Sequence, residues 1–446
     1  MKVLISGAGI GGLAAARALI ADGHEVAVFE QAAELRHSGA AVTLWSNGTG
    51  VLNDLGVSLD NVGAPIDVLE TRDHRGKALV SVDVAQAAAR YGHPHICLPR
   101  ARLLDLLARD LPPGTITFGH TAKEAKAEGN GTVTVTFANG GTINGDLLIA
   151  ADGRGSAIRD QVWGGDPGKL TGWATWQGIS PVPVDITSSH RSVLFVGKPG
   201  TCGLMPAGEG LLQWWFDLRW TPGTPPPAKP LTMIRERFGA WAQPIPDVLK
   251  AVTDEETGFF PHYRHRVPRS WGSGRITVIG DAAHSMPPTR AQGANQSLED
   301  AWALAAALRT ATSTKTAKTT TEEALRTFER QRSGKVSVVS RQAGSEDYNK
   351  YGAVLTRLVP SSFATRYYTK WLAQISSYLT QASGSMALWN EAPSRPPAAA
   401  PKKVNDKGNN KVIQNEFGLL RQLPIIASAG GRPALAMPPR HGRKWK

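Results

Sequence analysis

Two hydrophobic periods succeed one another in the first thirty residues. Lys2–Ser6 (KVLIS) is a short apolar run of strand type, and Leu13–Asp22 is rich in Ala and Leu at helical spacing. Glu25–Glu30 (EVAVFE) then returns to strand spacing. Gly23 stands where a left-handed glycine ends a helix. Strand, helix and strand in this order predict a βαβ unit and a parallel sheet.

Further along, Arg100–Asp110 has a helical pattern. Thr115–Phe118, Thr132–Phe137 and Asp146–Ala150 read as strands, with an Asn139-Gly140-Gly141 turn between the last two. From about Leu170 to Arg266 the pattern becomes alternating and turn-punctuated, as in GWATWQGIS and GLLQWWFDLRW, which predicts an antiparallel sheet. Eight of the thirteen tryptophans fall between 163 and 271, inside that region. Helical periodicity dominates from Leu298 to about Leu388, broken by the Thr/Lys-rich stretch Thr310–Thr321, after which Glu322 and Glu323 stand as first-turn acids. Beyond Glu391 the chain is rich in Pro, Ala, Lys and Asn and reads as an extended tail.

The expected fold class is α/β: a Rossmann-like cofactor domain, an antiparallel-sheet substrate domain and a C-terminal helical segment. The cofactor domain is assigned to 1–70, 98–163 and 270–335, and the substrate domain to 71–97 and 164–269. The helices take 336–390 and a basic tail takes 391–446.

Charge changes this picture less than its total suggests. The net charge is +13, but residues 395–446 hold eleven Lys or Arg against two Asp or Glu, so most of the excess sits in the tail. No basic stripe lies on a predicted folded element, so nucleic acid is not expected as a partner. No run approaches the ~18 apolar residues of a membrane helix, and the N-terminus lacks a signal-peptide pattern. The two cysteines, Cys97 and Cys202, have no metal-ligand or disulfide spacing, so no metal is expected and a reducing, cytoplasmic setting fits.

Three segments carry candidate chemistry. The first, Gly7-Ala8-Gly9-Ile10-Gly11-Gly12, lies between strand and helix. Its glycines permit a tight turn, close approach of backbone to a pyrophosphate, and close helix packing. Glu30, at the end of the second strand, can accept from both ribose hydroxyls of an adenosine, and its charge disfavours a 2′-phosphate there. The second, DLLIAADGRGSAIR, ends a strand in Asp152-Gly153 and places Ser156 as a helix cap. The third is RITVIGDAAHSMPP followed by QGAN, a strand, a tight turn and a helix start, the arrangement that holds an anion or cofactor. About 270 residues separate the first signal from the third, which suggests a large two-ended ligand such as FAD.

Together these segments resemble the three fingerprints of the single-component FAD-dependent aromatic hydroxylases, the p-hydroxybenzoate-hydroxylase-like flavoprotein monooxygenases, over roughly residues 1–345. The resemblance implies that Gly7, Gly9, Ile10, Gly11, Gly12 and Glu30 hold the ADP half of FAD, with Arg36 and Arg100 on its ribose and phosphates. Asp152 and Gly153 would handle FAD and the nicotinamide nucleotide. Asp281 would accept from a ribityl hydroxyl, Pro288 would lie close to the isoalloxazine, and the amides around Gly293, Ala294 and Asn295 would face its N1–C2=O edge. His284 reads as a hydrogen-bonded structural histidine rather than a base.

The implied reaction uses NADH or NADPH and O2 to hydroxylate an aromatic or other electron-rich small molecule through a flavin C4a-hydroperoxide. Trp176, Gln177, Trp214, Trp215 and Arg290 are candidate pocket residues, and no catalytic residue is assigned. An alkene epoxidase, a non-oxygenating FAD reductase and a flavin-binding accessory protein are the alternatives. A halogenase is not among them, since no Trp-x-Trp occurs in the chain.

Overall fold

In the computed structural model, residues 1–385 are described except 36–38, 167, 313–319, 348, 351–355 and 357–358. Lys2–Ser6 is the centre of a five-stranded parallel sheet, in the order Ile276–Val278, Leu147–Ala150, Lys2–Ser6, Glu25–Phe29, Ile116–Thr117. Central parallel strands are covered on both faces, which is why KVLIS and LLIA are uninterrupted apolar runs. The helix Ile10–Ala21 crosses between the first two strands and stops where expected: Gly23, at φ 79°, donates to Ile20, and His24 donates to Leu19.

A seven-stranded sheet forms a second layer, in the order Gly258–Arg264, Lys169–Ser180, Leu211–Arg219, Gly200–Gly208, Arg191–Gly197, Val68–Asp73, Ala78–Asp83. All its pairings are antiparallel except Arg191–Gly197 with Val68–Asp73. The strand from residue 68 thus already belongs to this sheet. Smaller sheets are Ala122–Ala127 with Val133–Phe137 and Thr142–Gly145, and Ala41–Leu44 with Ile96–Pro99 and Ala64–Pro65.

Alternation gives the large sheet two different faces. Trp176, Trp214, Phe216, Cys202 and Leu204 point to one side, where the helices Pro230–Phe238 and Ile245–Ala251 close a separate apolar core. Gln177, Gln213, Trp215, Thr175 and Asp217 occupy the other face, by the register that pairs Gln177 with Trp215 and Thr175 with Asp217. Trp215, Met205 and Ile179 on this inner face pack into the larger core built on the parallel sheet.

Three long helices complete the described part. Gly293–Thr312 packs against the Ile10–Ala21 helix. Thr321–Gly344 starts on a reciprocal cap, Thr320 accepting from the Glu323 amide while Glu323 accepts from the Thr320 amide. Ser361–Ile375 lies across the Ala78–Asp83 strand. No described helix is long and apolar enough to cross a membrane. The basic tail lies outside the described residues.

Candidate functional site

The glycine turn is set by steric necessity at some positions and left open at another. Gly7 has φ 101°, and a Cβ there would lie 2.4 Å from the Ala151 carbonyl oxygen. A Cβ on Gly12 would lie 2.0 Å from the Gly7 carbonyl oxygen. Gly9 is different: φ is −78° and a Cβ would meet nothing within 4 Å. Space beside Gly9 is therefore not required by the protein's own packing.

That space belongs to a groove of about 200 Å³ bordered by Gly7, Gly9, Glu30, Arg100, Asp152 and Gly153. Six residues singled out from three separate stretches of sequence thus border one cavity. Glu30 is nearly buried and already holds the turn: Oε2 accepts from the Ala8 amide at 2.8 Å and Oε1 from the Ala32 amide at 2.9 Å. Each oxygen keeps a further lone pair for a ligand hydroxyl. Burial raises the Asp152 carboxyl above the usual range, partly offset by Ser156 and Arg159. Its Oδ1 is buried with no hydrogen-bond partner. Ser156 caps the next helix, accepting from the Arg159 amide at 3.0 Å. His120 also borders the groove and was not anticipated; nothing in its local sequence marks it.

The third fingerprint packs against the first through its helix. Ser297, one turn into the Gly293–Thr312 helix, lies 3.4 Å from where a Gly11 Cβ would be and 2.9 Å from a Gly280 Cβ. The two helices therefore bring their N-termini, at Gly9 and Gly293, to one side of the parallel sheet. Asp281 is exposed and its Oδ1 lies 4.0 Å from a Gly293 Cβ. Pro288 is also exposed, in a short 3-10 turn that ends at Ala291 with φ 47°. Ala294 is half-buried.

Asn295 takes on a role beyond its amide. It is fully buried, and its side chain accepts from the Trp45 amide at 2.9 Å and donates to the Thr43 and Ala291 carbonyls at 3.0 and 2.9 Å. It clamps the helix start to the Ala41–Leu44 strand. Thr43 in turn touches Met205 Sδ through its hydroxyl at 3.2 Å. The turn before the Gly293–Thr312 helix, the Ala41–Leu44 strand and the inner face of the large sheet are thereby contiguous.

Behind the turn lies a buried ion network that the sequence reading passed over as a helix start. Asp300 accepts from the Gly280 amide at 2.9 Å, from Arg332 at 2.7 Å, and pairs with His284 Nε2 at 2.6 Å. Arg332 also reaches Glu299 at 2.8 Å, and Glu299 accepts from Asn47 and from the Ser377 amide. Burial raises the Asp300 carboxyl, but His284 and Arg332 outweigh it and hold the group below the usual range. These residues are 16 to 32 positions from Asp300. No local motif announces the partnership.

Two pocket candidates need correction. Trp176 and Trp214 are fully buried on the outer side of the large sheet, packed with Phe216 and Phe238 under the two short helices. They are core residues, because alternation turns them away from the larger core on the parallel sheet. Gln177 and Trp215 are on the inner face. Arg290 is half-buried within the 3-10 turn beside Pro288. Arg36 lies outside the described residues.

A strand–glycine–helix turn with a carboxylate on the next strand, and a second helix start packed beside it, defines a two-ended dinucleotide site on a doubly wound sheet with an antiparallel layer above it. Residues 1–342 match the FAD binding domain family, and the chain belongs to it. It is 32% identical over 318 residues to the FAD-dependent urate hydroxylase of Klebsiella pneumoniae, covering 69% of this chain and 82% of that one. It is likewise 32% identical over 311 residues to the aurachin C monooxygenase/isomerase of Stigmatella aurantiaca, covering 69% and 80%. The crystal structure of K. pneumoniae HpxO complexed with FAD and uric acid is similar at a TM-score of 0.76 and 28% identity, covering 84% of this chain and 97% of that one. The chain is an FAD-dependent monooxygenase of the aromatic hydroxylase type.

Proposed function

We propose that the enzyme hydroxylates a small, polar aromatic or nitrogen-heteroaromatic ring, bound between the Pro288–Gly293 turn and the inner face of the large sheet. The observation that supports this reading is the contiguity of that turn, Thr43 and Met205, on the same sheet face as Gln177, Gln213 and Trp215. The face offers a ring to stack on and amides to orient a polar ligand. Such a lining suits a hydroxylated or N–H-bearing ring better than the apolar alkene of an epoxidase.

Gly7, Gly9, Glu30, Arg100, Asp152 and Gly153 would hold the ADP half of FAD, and the residues present fit it. Gly9 leaves room for a pyrophosphate, Glu30 has spare acceptor capacity, and the orphan Asp152 oxygen awaits a donor. Asp281 and the amides of Gly293, Ala294 and Asn295 would take the flavin end, where a helix N-terminus favours negative charge. When bound, FAD supplies the acceptance of electrons from NADH or NADPH and the activation of O2 for transfer of one oxygen atom. The chain's own part is to hold the ring in place and keep water out, with Trp215 as its apolar wall.

A cytoplasmic setting is part of the proposal. Cys97 and Cys202 are free and fully buried, and burial pushes the Cys97 thiol up to about 12, so neither offers a reactive thiolate. Purified protein should carry FAD and oxidise NAD(P)H faster when a hydroxyaromatic or N-heteroaromatic compound is added, with one atom of labelled O2 in the product. Absence of FAD, or label absent from every product, overturns this function.

A further inference from the structure

A second buried polar row lies on the inner face of the large sheet, one residue pair beyond Trp215 and Gln177. Thr175 stands opposite Asp217 in the register. Its hydroxyl donates to Asp217 Oδ1 at 2.5 Å and contacts His262 Nε2 at 2.7 Å. His262 Nδ1 contacts Glu346 Oε1 at 2.8 Å. Both His262 and Glu346 have fully buried side chains, and Asp217 is 6% exposed. Glu346 is held with φ 55°, a conformation uncommon for any residue but glycine, just past the Thr321–Gly344 helix.

The hydroxyl of Thr175 has one proton, and Asp217 receives it. Thr175 must then accept from His262, so Nε2 carries a hydrogen. A second proton lies between Nδ1 and Glu346, on one or the other. Two protons are thus shared among a histidine and two carboxylates, which leaves the row with one net negative charge. Two cations stand near its Glu346 end: Arg264, two residues after His262 and packed on Gly344, and Lys350, whose Nζ donates to the Ser345 carbonyl. Thr171 and Asn349 hydrogen-bond Glu346, and Thr201 hydrogen-bonds Asp217. Arg219, the next residue on this face of the strand, is exposed and stacked on Trp173 at 5.2 Å.

The segments that carry the row also touch the 285–289 turn at two points. Thr289 donates to the Ala343 carbonyl, three residues before Glu346, and the His265 amide donates to the Ser285 carbonyl, three residues after His262. A ring lying on Trp215 is within one strand repeat of Asp217, roughly 7 Å.

We propose that Asp217, Thr175, His262 and Glu346 form a proton-holding row that takes the proton of a bound ring's O–H or N–H group during turnover. This rests on the function proposed above and narrows its substrate class. The substrate's O–H or N–H bond breaks and a new O–H bond forms on the Asp217 carboxylate. The electron pair stays on the substrate heteroatom. The row passes from one negative charge to none while the ring gains one, which makes the ring a better nucleophile. The proton is lent, and returns as the row resets.

The test uses the full chain and 4-nitrophenol, whose phenolate has its own visible absorbance. Wild type should bind it and favour phenolate, with the bound ligand's ionisation constant at least about tenfold higher than in free solution. T175V cuts the link between His262 and Asp217 and should erase most of the ionisation shift, while T175S restores it. An unshifted bound nitrophenol, a T175V titration identical to wild type, or no nitrophenol binding would each overturn the proposal. Nitrogen NMR of His262 in the wild-type protein adds a check that needs no variant: Nε2 must be protonated from pH 5 to 8, and an unprotonated Nε2 overturns the row. Bound FAD and NAD(P)H oxidation are read separately, so failure of the monooxygenase reading at this site is distinct from failure of the row.

Discussion

Asp300 accepts the backbone amide of Gly280 at 2.9 Å while the guanidinium of Arg332 grips its other oxygen at 2.7 Å, all three from different elements and all buried. The carboxylate therefore fixes the Gly280 turn to the two long helices. Removing one partner strands the other's charge in the interior, which costs about 3–5 kcal/mol. Arg332→Met is expected to lower unfolding stability by about that amount, read by denaturant titration of the FAD-free protein. Asp300→Asn, which keeps the shape but loses the charge, should release FAD as well. Because the Asp300 carboxyl sits below its ordinary value, its contribution to stability is present above about pH 4. It is lost as pH falls through the lowered folded value.

The glycine turn separates folding from binding. Gly12→Ala places a methyl group 2.0 Å from the Gly7 carbonyl oxygen, so the turn itself must shift. Gly9→Ala meets nothing within 4 Å and its φ suits alanine. Gly9→Ala is therefore expected to unfold within about 0.5 kcal/mol of wild type yet lose FAD affinity by at least about tenfold, because its methyl group stands where the pyrophosphate would approach. Gly12→Ala should lose both. Thermal unfolding of the FAD-free proteins and flavin fluorescence on titration with FAD provide the two readouts, and equal FAD affinity in Gly9→Ala and wild type would count against the pyrophosphate at that turn.

Much of this was visible in the sequence where one element makes the whole feature. The βαβ unit, Gly23 as helix stop and Ser156 as cap each depend on neighbours within a few residues, so period and turn chemistry reveal them. The outward turn of Trp176 and Trp214 was not visible, because alternation gives two faces without saying which one meets the cofactor layer. WWFD was informative in hindsight: its charged Asp217 shares a face with Trp215, and a lone carboxylate marks the side with polar partners. The Asp300–Arg332 and His262–Glu346 pairs join residues 32 and 84 positions apart, and a single sequence contains no sign of such closures.

His262 makes stability depend on pH in a definite direction. Burial disfavours its charged form, but the hydrogen bond to Glu346 and the charges of Asp217 and Glu346 outweigh this and raise its pKa above the ordinary value. A raised folded value means that the native state binds the proton more tightly than the unfolded chain. The stabilisation is full below about pH 6.5 and is lost as pH rises through the raised folded value. Asp217, raised by burial despite His262, adds the same sign. His262→Gln should flatten the decline of denaturant stability between neutral and mildly alkaline pH, and a decline as steep as wild type would show that another group causes it.

Trp215 and Trp176 are neighbours across two adjacent strands and should fail in opposite ways. Trp176 is fully buried among Phe259, Trp220 and the outer core, with ring centroids 5.0 and 4.9 Å from those two rings. Truncating it removes a large side chain from a closed interior, so Trp176→Ala should cost about 3–5 kcal/mol and change substrate preference little at temperatures where it stays folded. Trp215 is only partly buried, on the inner face opposite Gln177. Its loss leaves less of a closed cavity because the side chain is already partly exposed. Trp215→Ala should keep more of its stability than Trp176→Ala, retain FAD, and lose substrate-stimulated NAD(P)H oxidation through a raised KM. It should also form less product per NAD(P)H consumed, as the ring is no longer held in place. Steady-state oxidation alongside product yield decides the matter: if Trp176→Ala impairs KM selectively and Trp215→Ala does not, the pocket lies on the outer face and the orientation of the sheet relative to the site has been assigned the wrong way round.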